Sequence, residues 1–147
     1  QEAFDSNVKI HDYYLGEDNL KGFYINGNIA INTSVGTTAE KSCVLAEELG
    51  HHYTATGNIL DQSTVENRKQ EMRGRIVAYN KLVGLRGIVD AYLHHCQSIS
   101  ESAEYLEVTE EFLIDSLNYY RNKYGVYTKL DNYVIVFEPN IAVLELV

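Results

Sequence analysis

The stretch LAEELGHHYT, residues 45–54, decides how this chain is read. It lies in a segment whose beginning and end both carry helix signals. Thr37 and Glu40 form a capping box, in which a threonine hydroxyl and a glutamate three residues on serve the first free N–H groups of a helix. Gly57 supplies a stop, so a helix is predicted from Thr37 to about Thr56. On a helix, residues four apart share a face, which puts Glu47 and His51 together and Glu48 about 100° to the side.

Two further capping boxes, Ser63 with Glu66 and Ser98 with Glu101, extend the helical reading along the middle of the chain. A second helix is predicted to place Met72, Ile76, Tyr79 and Val83 on one apolar face and to stop at Gly84. A third is expected at about Ile88 to Gln97, a short fourth over ESAEYLE, and a fifth from the cap Thr109 to just before Gly125. Before this region the alternation in VKIHDYYL and GFYINGNIAIN reads as strands. Asn26-Gly27 between two apolar runs marks a hairpin turn. After it, NYVIVF, Pro139 and IAVLELV read as strand and edge. The expected fold is α+β in a single domain spanning residues 1–147. It comprises a small antiparallel sheet, a pair of helices carrying the site, and a C-terminal helical part.

Composition narrows the function. Hydrophobic residues make up 45% and charged residues 22% of 147, as in an ordinary soluble globular domain. Asp and Glu outnumber Lys and Arg by 21 to 12, for a net charge of -9, and no basic run offers a phosphate stripe. Direct contact with nucleic acid or an anionic membrane is therefore not expected. The longest apolar runs are strand-sized, well below the roughly 18 residues of a membrane span. No signal peptide is read. Cys43 and Cys96 are too few for a disulfide framework, which fits a reducing cytoplasm.

The spacing of Glu47, Glu48 and His51 is that of a zincin helix: two ligands one turn apart, with a carboxylate beside them to take a proton from attacking water. The usual first ligand is histidine, so the chain reads EELGH where HELGH would be expected. Zinc takes carboxylate oxygen at about 2.0–2.2 Å, close to its distance to imidazole nitrogen, so Glu47 replaces histidine without abolishing a site. The added negative charge weakens the metal as a Lewis acid, and a slower or more specialised enzyme is expected. Gly50 lets another element approach the helix. For a third ligand the second helix offers Glu66 and Glu71.

CVLAEELGHHYTATGNILDQ (residues 43–62), followed by ENRKQEMRGRIVAYNKLV (residues 66–83), resembles the ImmA/IrrE family of metallopeptidases of phages and mobile elements. The resemblance runs from the GFYINGNIAIN hairpin to DNYVIVFEP. In that family the second helix carries E-x-x-A-x-x-F-A-x-x-x-L, which falls here on Glu71, Gly74, Val77, Ala78 and Leu82. The resemblance thus implies that Glu71 is the third ligand, with Glu66 left as a capping residue. It further implies a zincin-like helix pair binding zinc through Glu47, His51 and Glu71, with Glu48 as general base. Manganese or iron would also suit two carboxylates and one imidazole. The implied activity is endopeptidase cleavage of a phage or mobile-element helix-turn-helix repressor in the cytoplasm of a bacterial host. The alternative is a non-catalytic anti-repressor that binds the same protein. The chain departs from the family pattern at position 47, and at position 74, where glycine is flanked by Arg73 and Arg75.

Other candidates have plainer readings. His52 pairs by spacing with Glu48 and reads as a neighbour of the site or a surface residue. Cys43 shares the face of Glu47 and His51 and reads as a small buried cysteine. His94, His95 and Cys96 are expected in the last turn of the third helix, where histidine suits the dipole. His11 reads as a sheet residue. ISESAEYLEVTEEFLIDSLNYYRN has helix-turn-helix spacing, but its second helix would open on Glu110 and Glu111, the wrong charge for phosphates. Packing or a protein surface is the better reading there. The tyrosines divide between core and candidate peptide contacts.

Overall fold

A computed structural model describes residues 9–13, 22–25, 28–32, 36–54 and 65–147, with side chains described for 36–52 and 68–147. The fold is α+β, with strands before and after a run of helices. The chain divides into two compact units, Gln1–Ala78 and Tyr79–Val147. The Asn26-Gly27 turn, the Gly57 stop, the Ser63–Glu66 box and the side chains of His11 and Glu66 lie outside the described residues.

In the first unit, strands β1 (Lys9–Tyr13), β2 (Gly22–Ile25) and β3 (Asn28–Asn32) form a sheet of order β1-β3-β2. β2 and β3 pair antiparallel with Ile25 opposite Asn28, the register of a hairpin. β1 pairs with β3 in parallel, Lys9 opposite Asn28, so this sheet is mixed. Alternation along one strand does not reveal the direction of its neighbour. Helix α1 (Thr38–Thr54) lies against β2 and β3. Its start is capped as the sequence predicts, the Glu40 N–H donating to Thr37 Oγ1 at 3.0 Å. Cys43, Val44, Ala46 and Leu49 form its buried apolar stripe.

Helix α2 (Val65–Leu82) corrects one expectation. Met72, predicted to face the core, is 47% exposed, while Gln70, Gly74 and Ala78 are buried. The buried ridge therefore runs at i, i+4, i+8 through Gln70, Gly74 and Ala78, about 120–160° away from Met72. The reason is close approach. A Cβ added at Gly50 would overlap the carbonyl oxygen of Gly74, so the backbones of α1 and α2 touch there and leave no room for a large side chain. Tyr79 and Val83, on the predicted face, are buried at the C-terminal end.

The second unit begins with α2's last turn and α3 (Gly84–Leu93), which starts and stops earlier than predicted. Gly84, at φ +63, breaks the α2 path, and a new helix follows at once. The break is pinned by Tyr120, whose hydroxyl accepts from the Gly84 N–H at 3.0 Å and donates to Asn80 Oδ1 at 3.0 Å. Burial raises the Tyr120 pKa although the hydrogen bond it accepts from the Gly84 N–H opposes the rise, so the hydroxyl keeps its proton. Helices α4 (Ile99–Leu106) and α5 (Glu110–Tyr124) follow. In the predicted box at α4, Glu101 N–H donates to Ser98 Oγ at 3.0 Å, but the Glu101 carboxylate reaches one residue further back, accepting from Gln97 N–H at 2.8 Å. The antiparallel sheet β4-β5-β6 (Tyr127–Leu130, Tyr133–Val136, Ala142–Glu145) closes the chain. Its β4 had no sequence expectation. The core of this unit gathers Val89, Phe112, Leu113, Tyr120 and Ile135.

Thr109 is the clearest cap, its Oγ1 accepting from the N–H of buried Phe112 at 3.0 Å. Thr109→Ala should cost about 1 kcal/mol, and Thr109→Ser should restore most of it. Denaturant unfolding at unchanged m-value measures both.

Among the described residues, no helix is long and apolar enough to cross a membrane.

Candidate functional site

α1 carries two buried polar side chains inside its apolar stripe, Glu48 at 6% and His51 at 5% exposure. Burying such groups is costly unless they are paired. Here they pair with each other and with α2. His51 Nδ1 lies 3.1 Å from Glu48 Oε2. An ionised carboxylate can only accept, so Nδ1 carries the proton of that bond. On the other side of the ring, Nε2 lies 3.0 Å from Glu71 Oε2. That separation is one of an ion pair, although Nε2 has no partner in full hydrogen-bond geometry among the described residues. The short contact still couples the charges of the two groups. Glu71 is further held by Arg75, whose Nε is 3.6 Å from its Oε1.

The helix crossing makes this arrangement possible. A Cβ on Gly74 would overlap the His51 ring, falling 2.9 Å from Nε2. Glycine at 74 thus leaves the space that the ring fills.

Charge follows from these contacts. For His51, burial is the largest influence and opposes the proton, but the pairing with Glu48 and Glu71 outweighs it and raises the pKa to about 9. For Glu71, burial favours the neutral acid, yet His51 and Arg75 together hold its pKa below the ordinary value. Glu47 goes the other way. Burial raises its pKa most, Arg75 opposes, and the charges of Glu48 and Glu71 add to the rise. Glu47 is half-buried and joins the cluster through charge.

Whether these residues suit a metal ion turns on three observations. Nε2 of His51 is a buried ring nitrogen with a carboxylate oxygen close by and no hydrogen bond. Two donors at about 2.0–2.1 Å from a tetrahedral ion stand about 3.3 Å apart, and Nε2 and Oε2 are near that spacing. One imidazole with carboxylates is a donor set for zinc, manganese or iron. Against this, no group of three His, Cys, Asp or Glu among the described residues is arranged to hold an ion. Donor type and the spacing of His51 and Glu71 fit; Glu47, expected as the third ligand, is shown to reach the cluster only through charge.

The remaining sequence candidates fall elsewhere. Cys43 is buried and His52 half-buried on α1. In the second unit, His94 is exposed and stacks on Tyr105 with ring centroids 4.3 Å apart. Cys96 directs Sγ at the Glu101 carbonyl oxygen, 3.7 Å away. That unit also holds a cavity of about 520 Å³ walled by Cys96, Ile99, Ile114, Leu117, Phe137 and Ile141, and none of Glu47, Glu48, His51 and Glu71 lines it. Two contacts went unread in the sequence. One is the Glu48 bond to His51, for which the i, i+3 spacing was the available signal. The other is Arg75 on Glu71, an i, i+4 pair that the sequence reading treated as packing alone.

Comparison of the chain with protein-family models, with curated proteins and with solved structures finds no match.

Proposed function

We propose that this protein is a zinc-dependent endopeptidase of the ImmA/IrrE type, with manganese or iron as the other ions its donors accept. The observation that carries the reading is His51 Nε2, buried, without a hydrogen bond, and facing Glu71 Oε2 at 3.0 Å across a helix crossing that glycines permit. In this reading α1 and α2 are a zincin-like pair, with Glu47, His51 and Glu71 as ligands. Held by Glu47, His51 and Glu71, such an ion would supply Lewis-acid polarisation of the peptide carbonyl and acidify water. Glu48 accepts the proton of the attacking water and returns it to the leaving amine. Its second job is to hold the His51 ring through Nδ1. The substrate proposed is a helix-turn-helix repressor of a phage or mobile element, cut in the bacterial cytoplasm. Helices α4 and α5, joined by the short turn at residues 107–109, are the helix-turn-helix-like part. Because α5 opens on Glu110 and Glu111, that part suits a protein surface rather than DNA.

One observation favours a second reading. Both nitrogens of His51 already face carboxylates, so the cluster can serve as a clasp between α1 and α2 in a non-catalytic anti-repressor. Measuring bound zinc and following cleavage of a co-expressed repressor separates the two. Zinc at one equivalent with cleavage supports the enzyme. Repressor binding with neither zinc nor cleavage supports the anti-repressor.

The pH dependence is fixed in sign. A ligating His51 must be neutral, and its pKa near 9 means that metal displaces a proton. Apparent zinc affinity should rise about tenfold per pH unit toward pH 9 and level off above it. In the metal-free protein the folded pKa exceeds the ordinary 6.5. The stability contributed by His51 is then fully present below pH 6.5 and lost as pH rises through about 9. Competition titrations across pH, and thermal unfolding with chelator present, read the two effects.

A further inference from the structure

We infer that the cavity of the second unit is a binding site for a small amphipathic carboxylate, an aliphatic chain held at its head by Arg121. This stands apart from the metal-site reading. Four residues of α5, Ile114, Leu117, Asn118 and Arg121, follow at i, i+3, i+4 and i+7 and so form one stripe along the cavity wall. Helix α4 adds Ile99, and the β5–β6 connection adds Ile141. A volume of about 520 Å³ is that of a small-molecule site.

The wall changes character along its length. A smaller cavity of about 120 Å³ shares Ile99, Leu117 and Ile141 with the first and adds the apolar side chains of Ile88, Leu113 and Val143. On α5 this apolar annex begins at Leu113 and the main cavity ends at Arg121, eight residues on. At about 1.5 Å per helical residue the two lie about 12 Å apart, a length that an extended chain of about eight to ten carbons covers. One end takes a tail and the other a head.

Charge fixes the head. Among the residues lining the two cavities Arg121 is the single charged one. Its Nε stands 3.8 Å from Glu138 Oε1, the guanidinium's one ion pair among the described residues, which leaves the two terminal nitrogens for a ligand. A guanidinium presents paired N–H groups that match a carboxylate. The net charge of -9 opposes an anion at long range, but screening acts beyond about 8 Å at physiological salt, so the guanidinium at the cavity decides.

The plain alternative is a bare cleft with Arg121 in a surface ion pair. Two apolar side chains on its wall weigh against that, since Ile114 is 45% and Ile141 40% exposed. A tail that covers them takes apolar surface out of water and gains affinity by it.

The test titrates the full chain with octanoate, butanoate, octanol and octylammonium by calorimetry. Alkylation of Cys96, which lines both cavities, is followed by mass spectrometry as a report of place. Octanoate should half-saturate the protein below about 1 mM and slow alkylation of Cys96. Butanoate should bind at least about tenfold more weakly for want of apolar contact, and octanol and octylammonium at least about tenfold more weakly for want of the charged pair. Arg121→Gln should weaken octanoate at least about tenfold, with Arg121→Lys between, since lysine keeps the charge but not the planar fork. Arg121 is 45% exposed on its side chain, so both variants should fold, and circular dichroism verifies this. Octanoate that does not bind at about 1 mM, or binds without protecting Cys96, overturns the inference. So does octanol binding to wild type as tightly as octanoate, a comparison that needs no variant. An Arg121→Gln protein that keeps its octanoate affinity within about twofold removes Arg121 from the site and overturns it as well.

Discussion

Glu48→Gln is expected to lower repressor cleavage about 10²- to 10⁴-fold while changing zinc affinity by less than about tenfold, the pattern of a lost general base. The split arises because the proposed mechanism gives Glu48 two tasks that the amide separates, taking a proton from water and holding the His51 ring. Glutamine retains a carbonyl oxygen that can accept the Nδ1–H bond now made at 3.1 Å, so the His51 ring keeps its orientation. What it loses is a carboxylate able to take a proton. Glu48→Ala removes both, leaving Nδ1 buried and unpaired, and should therefore also weaken zinc binding about 10- to 100-fold. Cleavage rates and zinc affinities for the three proteins decide the matter. A Gln variant that cleaves at the wild-type rate removes Glu48 from the chemistry. A Gln variant that loses zinc as severely as the Ala variant reduces Glu48 to a prop for His51.

Local chemistry is where sequence and structure agree. The caps at Thr37, Ser98 and Thr109 are each made by the hydroxyl expected, because capping depends on residues three apart and on nothing distant. The antiparallel β2–β3 pairing, Ile25 opposite Asn28, also agrees with the hairpin expected there. Disagreement appears where the tertiary contact decides. Periodicity turned Met72 inward on α2, since it counts hydrophobic side chains. Burial instead chose Gly74 and Ala78, since α1 needs to come within backbone contact there. No pattern in one helix announces how near another will lie. The break at Gly84 was read as an end, and only the Tyr120 hydroxyl, 36 residues on, shows that a second helix starts directly from it.

The candidate site was legible in part for a similar reason. Glu47, Glu48 and His51 lie within one turn and a half of helix, so their grouping needs only the period of 3.6. Spacing alone left Glu66 and Glu71 open, and the family resemblance singled out Glu71; the structure brings it to His51 at 3.0 Å. The hydrogen-bond choices were not accessible. Glu48 can pair with either His51 or His52 by spacing, and selecting His51 requires knowing which ring is buried against α2. Arg75 was likewise noted in the sequence for its place beside Gly74, while its charge acts on the carboxylates.

Gly50→Ala and Gly74→Ala should part company, although each adds one methyl group at the same crossing. At position 50 the new Cβ would fall 2.9 Å from the Gly74 carbonyl carbon, 3.1 Å from its Cα, and would overlap its oxygen. All three are backbone atoms, and no rotamer relieves the clash. Alanine gains about 1 kcal/mol in helix propensity over glycine. Parting two packed helices costs about 1–3 kcal/mol or more, so the cost prevails. A net loss of stability is expected, at about 2–4 °C of Tm for each kcal/mol in a chain of this size. At position 74 the obstacle is the His51 ring, overlapped at Cδ2 and 2.9 Å from Nε2. A ring can rotate away, but rotation takes Nε2 from Glu71 and Nδ1 from Glu48 and leaves buried polar groups unpaired. That costs about 1–3 kcal/mol, against about 1 kcal/mol gained in helix propensity, so a net loss of stability is expected here too. In the metal-site reading zinc affinity should also fall about 10- to 100-fold. Gly50→Ala should thus act chiefly on unfolding, and Gly74→Ala on both unfolding and metal. Both Tm and zinc affinity are needed for each variant, because a clasp without metal predicts that Gly74→Ala loses stability alone.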